Sequence, residues 1–329
     1  MPRPIRIPDQ KLARVKELEV VLEKYASAGN LKKAKIALDE LKGILGKYHH
    51  DARIMQGYLK LYEAALESWD LNLAKRGFQF VRNNTNRKTR TYLEATTLLA
   101  IAHLRDQDLV GAEPLMASAL RDEHVIASES MRAAYRREVI ERFDQEGALA
   151  ALGQAHPELQ NEAQIHHDAI KLLREGKNED ELQELIGNQT PQSVKDFLLK
   201  VDTMSKNLLP HEERLLLPSP KDVIKNKQVG GIIFNGMRRK LYRYVCKEDS
   251  DVYQAWLQGG LDTILSKGYI ASAVVGAMAD IRIGASAVAV GVSAMLMKLG
   301  VANFCEKNRP ISLMSLRGKR SNNSAKPTQ

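Results

Sequence analysis

The chain has 329 residues, 44% hydrophobic and 27% charged, a balance that suits a soluble globular protein of two or three packed units. Aromatic residues make up only 5%, which disfavours sheets, since sheets draw on ring and β-branched side chains. The formal charge of +9 is uneven: residues 217–329 carry 17 Lys/Arg against 7 Asp/Glu and the rest 32 against 33, which places any anionic partner at the C-terminal part.

The first residues, MPRPIRIPDQ, contain three prolines and no apolar core, so residues 1–11 read as an extension and not as a secretory leader. Two cysteines, Cys246 and Cys305, form no CxxC and join no His/Cys set with metal-ligand spacing. A disulfide framework is therefore not expected, and a reducing cytosol fits.

Three segments then share a pattern: Asn30-Leu31-x-x-Ala34, Asp70-Leu71-x-x-Ala74 and Asp108-Leu109-x-x-Ala112. Around them Tyr25, Ala34, Leu38 and Leu41 correspond to Ala65, Ala74, Phe78 and Val81, and to His103, Ala112, Met116 and Ala119. These spacings put a small residue where two helices cross and continue an apolar stripe along the second helix. Asn or Asp before the leucine suits an N-cap. Each segment is thus expected to be a helix hairpin that buries its inner face against its neighbours.

The small residue after the turn and the large apolar residue that follows resemble the second helix of tetratricopeptide repeats. The period is longer than the usual 34 residues, the Gly-and-aromatic signature of the first helix is mostly missing, and no closing proline follows. The resemblance covers residues 12–150. It implies a solenoid whose concave groove binds a peptide or helix of a protein partner, and it implies no chemistry.

Residues 151–216 read as a helical continuation, broken at His156-Pro157, stopped again at Gly176 and reopened at Thr190-Pro191. Pro218 and Pro220 mark an expected boundary near residue 217, with Pro210 shortly before it. His166-His167-Asp168 and His49-His50-Asp51 read as helix faces, because adjacent imidazoles point about 100° apart on a helix and do not readily share a metal.

From 217 to 310 the reading is a basic and apolar helical module. Lys221, Lys225, Lys227, Arg238, Arg239, Lys240, Arg243 and Lys247 face one acid, Asp222, with Tyr242 and Tyr244 interleaved. A solvated helix face, an anionic-lipid surface and a nucleic-acid surface are all open readings, with Arg238, Arg239, Lys240 and Arg243 as the candidate contacts. The chain turns apolar from Tyr269 to Cys305, interrupted by Asp280, Arg282 and Lys298. Gly284, Ala287, Gly291 and Ala294 form a nearly bare strip expected to pack closely on Ala273–Ala277, either in a buried core or in a membrane hairpin. Residues 311–329 read as a disordered basic tail.

The expected fold is all-α: a tetratricopeptide-like repeat followed by a helical module with a closely packed apolar helix pair. No nucleophile–base pair, metal site or cofactor loop is apparent, so no enzyme activity and no cofactor are expected. The leading functional expectation is a cytoplasmic helical-repeat scaffold for a protein partner, whose basic and apolar C-terminal module serves anchoring or signalling, with the inner face of the membrane as an open location. A membrane-acting effector gated by the repeat is the alternative, and nucleic-acid binding a weaker one.

Overall fold

The computed structural model describes residues 4–155, 161–209, 214 and 217–309. Among them are sixteen α-helices, two short 3-10 turns and no strand, so the all-α reading holds. The expected break at His156-Pro157, Pro210 and the tail 311–329 lie outside the described residues. The chain forms two compact units: residues 4–103 with 111–139, and residues 104–110 with 140–309.

The first unit opens with α1 (Asp9–Ser27) and α2 (Leu31–Leu45), then α3 (Asp51–Glu67) and α4 (Leu71–Asn83), then α5 (Arg90–Arg105) and α6 (Leu109–Arg121). Asn30 and Asp70 cap the second helices by accepting from the backbone N–H of Lys33 and Leu73. Such caps contribute about 1 kcal/mol each. The residue before each Asn/Asp is left-handed in all three turns, with φ 64° at Gly29, 68° at Trp69 and 60° at Gln107. The N–H groups of Gly29, Trp69 and Gln107 donate to the carbonyls three residues back, and those of Asn30 and Asp70 reach back five. This is the Schellman closure that satisfies the last carbonyls of the preceding helix. Glycine takes it freely, whereas Trp69 and Gln107 pay about 1–2 kcal/mol of steric cost.

All nine positions matched between the three second helices are buried. Ala34, Ala74 and Ala112 are followed by Leu38, Phe78 and Met116, then by Leu41, Val81 and Ala119. Alanine at the first of these positions lets the next helix approach. The start of α7 (Glu129–Ala155) joins this unit through Tyr135, whose hydroxyl lies 2.7 Å from Thr97 Oγ1.

The second unit takes in the rest of α7, then α8 (Glu162–Arg174), α9 (Glu179–Asn188), α10 (Gln192–Asn207), the single turn α11 (Pro220–Val223) and α12 (Asn226–Val245). Gly176, at φ 73°, follows the end of α8, and Pro191 precedes α10, as expected. Residues 151–209 and 217–309, assigned by sequence to separate segments, lie in one unit here. The reason is a backbone-to-backbone contact. A Cβ on Gly230 of α12 would stand 1.8 Å from the Gln183 carbonyl oxygen of α9, and one on Gly187 would stand 1.9 Å from that of Asn226. Gly230 therefore serves helix packing, whereas a Cβ on Gly231 would meet only the Gln183 side chain at 3.6 Å.

The unit closes with α13 (Asp251–Ser266), α14 (Tyr269–Asp280), α15 (Ser286–Leu299) and α16 (Val301–Lys307). The chain turns at Asp280-Ile281-Arg282, with Arg282 at φ 57°. No single described helix is long and apolar enough to cross a membrane. α15 and α16 meet the length and composition requirement only together, and they are bent by 92°.

Two corrections concern this region. Cys246 and Cys305 form a disulfide, contrary to the expectation that this chain makes none; the fold brings their Cα atoms to 5.4 Å across 59 residues of sequence. The bare strip on α15 does pack closely, but Gly291 faces α9, where a Cβ would stand 2.5 Å from Ile186 Cγ1. Gly276, on the small surface of α14, faces Tyr244 of α12 instead, at 2.7 Å. Gly291 and Gly276 thus each receive a large side chain from another helix, while α14 and α15 remain packed against each other.

Candidate functional site: a cleft between first helices

In the first unit a cleft of about 180 Å³ is lined by Glu19 and Glu23 of α1, Arg53, Gln56 and Lys60 of α3, and Glu94 of α5, over a floor that includes Leu22 and Leu59. Every lining residue comes from the first helix of a hairpin. These helices also bury apolar residues, among them Leu18, Ile54 and Leu98, so the polar row is the side of each that faces away from the core.

The cleft is pre-formed by ion pairs. Arg53 donates to both carboxylate oxygens of Glu19, each at 2.9 Å, a forked geometry that fixes both side chains. Lys60 Nζ lies 3.1 Å from Glu63 and 3.8 Å from Glu23. Arg90 holds Glu94 at 2.9 Å. Glu63 and Glu94 are almost fully buried, so these charges are costly to leave without partners and are set rigidly. Gly57, behind the row, keeps α3 close to α2, since a Cβ there would meet Leu38 Cδ1 at 2.6 Å. The arrangement offers fixed donors and acceptors to a polar or charged segment. Among the described residues, no group of three His, Cys, Asp or Glu side chains is placed to hold a metal ion.

None of these residues is among the candidates that the sequence singles out. The available signal was the row Gln56, Lys60, Glu63 and Glu67 on α3, spaced four, three and four apart and hence on one helix face.

The residues singled out for an anionic surface lie on α12 of the second unit. Lys240 is buried and pairs with Asp280 at 2.8 Å. Burial lowers its pKa, with Asp280 opposing. Burial would raise the Asp280 carboxyl, but hydrogen bonds from Lys240 and Tyr244 hold it below the usual range. Arg238 stacks over the Phe234 ring at 5.5 Å, and burial lowers its pKa. Arg238, Arg239 and Arg243 are half-buried. Of the strip residues, Gly284, Gly291 and Ala294 are buried, while Ala287 is exposed. With Val290, Ile165, Leu172 and Leu185, Ala287 borders an open groove of about 760 Å³ whose rim carries Asp168, Lys171 and Glu175. On α7, burial and then the nearby Asp202 and Glu141 push the Asp144 carboxyl up to about 8.

No family model matches the chain, and no curated protein or solved structure matches it either.

Proposed function

We propose that the first unit is a helical repeat of the tetratricopeptide type and that it docks a protein partner, which lays a peptide or helix along the cleft of α1, α3 and α5. The observation that carries this reading is the origin of the cleft: first helices alone build it, and their charges are fixed in advance. Pre-set charge pairs reduce the ordering cost of binding and reward a matching charge pattern. The C-terminal module serves as an anchor, with Arg238, Arg239 and Arg243 of α12 as its contacts to an anionic membrane surface on the cytoplasmic side.

Peptides selected from a random display library on the full chain test the docking role. Gln56→Trp fills the cleft, and it is expected to weaken the selected peptides by about tenfold or more, as loss of a central contact does. Ile36→Ala, on the exposed face of α2, is expected to leave binding unchanged. Selected peptides that bind Gln56→Trp as tightly as the parent chain would place the docking surface elsewhere.

A further inference from the structure

The disulfide closes on α16 just beyond the bend between α15 and α16. Ile283 to Phe304 is an apolar stretch of about 22 residues, roughly 33 Å long as a straight helix, enough for the hydrocarbon core of a bilayer. Here it is folded back on itself. The turn is made at Gly300, whose φ of 76° and ψ of 144° are open to glycine and strained for other residues.

A seven-residue helix has little stability of its own. α16 is held by the buried side chains of Val301 and Phe304 and by the bond from Cys305 to Cys246 at the end of α12. Unbending α16 through 92° would carry the Cα of Cys305 about 10 Å from its present place, given the helical rise over five residues. A disulfide spans at most about 7 Å between Cα atoms. With Cys246 fixed, most directions of that swing carry the two Cα atoms beyond this limit, so the bond restrains α16 in its bent position.

We propose that Cys246–Cys305 is a thiol-controlled latch, and that its reduction lets the α15–α16 stretch straighten and insert into a lipid bilayer. The chemistry is a two-electron thiol–disulfide exchange. A dithiol reductant gives its two hydrogens to the two cysteine sulfurs, the S–S bond breaks, and the reductant leaves as its own disulfide. In a reducing compartment a lone disulfide of this kind is transient and suited to sensing. The apolar side chains that now pack α15 on α8 and α9 become the lipid-facing surface. Lys298 lies six residues from the end of the stretch, about 9 Å, within reach of the interface by snorkelling. This inference is independent of the docking cleft in the first unit.

Flotation of the full chain with vesicles of phosphatidylcholine and phosphatidylglycerol tests it. Reduced protein is expected to float about tenfold more than oxidised protein and to stay bound in about 1 M salt, which screens surface attraction. Cys246→Ser and Cys305→Ser are each expected to float without reductant. Ala287→Asp with Ala302→Asp places charges at positions exposed in the bent form, so the bent fold tolerates them and its helical circular dichroism is unchanged. In the reduced state this double variant is expected to lose flotation, because the charges would enter the bilayer. Equal flotation of oxidised and reduced protein overturns the latch, as does no flotation of either. Reduced flotation that salt abolishes, or that survives the two aspartates, overturns insertion.

Discussion

Gly230→Ala is expected to cost about 3 kcal/mol or more of folding stability, although it adds a single methyl group and raises helix propensity. The new Cβ would stand 1.8 Å from the Gln183 carbonyl oxygen and 3.0 Å from the Gly187 nitrogen, both backbone atoms that no rotamer change can move. α9 and α12 must separate to admit it. Gly43→Ala is the matched control: nothing lies within 4 Å of its added Cβ on α2, so that variant is expected to gain about 0.5–1 kcal/mol. Urea denaturation of both variants makes the comparison. A Gly230→Ala variant as stable as the parent would mean that α9 and α12 are not in backbone contact.

Arg105→Met is expected to lose about 3–5 kcal/mol, because it leaves Glu146 charged and enclosed. Arg105 Nη2 lies 2.7 Å from Glu146 Oε1 and its Nε 3.0 Å from the same oxygen, with the two side chains 4% and 8% exposed. The pair joins the last turn of α5 to α7 within the second unit. Replacing both residues, as Arg105→Met with Glu146→Leu, is expected to recover most of the loss, since two apolar groups of similar volume remove the unpaired charge. The double-mutant cycle reads this directly, and a single variant within about 0.5 kcal/mol of the parent would contradict the pairing.

The hairpin pattern was legible because its signals are local. Asn30 and Asp70 cap where the spacing puts them, and every small or apolar position that the second helices share is buried. Gly176 and Pro191 likewise act within a few residues of chain. What was illegible depends on distant partners. Nothing near Cys246 or Cys305 announces a bond across 59 residues, since each sits in or beside an ordinary helix. The bare strip on α15 announced a close approach, but at Gly291 the partner is Ile186 of α9 and not the expected Ala273–Ala277 surface, because a large side chain fits against a glycine as readily as a second bare face would. Trp69 and Gln107 occupy left-handed positions that neither residue type favours, so only comparison with Gly29 in the first turn hints at them. The cleft leaves little local mark, because Glu94 reads as a surface charge and is buried only through its place beside Arg90.

Hydrogen exchange of the full chain with and without a display-selected peptide tests the docking claim most directly. Slowed exchange is expected in α1 around residues 19–23 and in α3 around 53–60, with the second helices α2 and α4 unaffected. Slowing confined to α8, α9 and α15, which border the larger groove of the second unit, would contradict it.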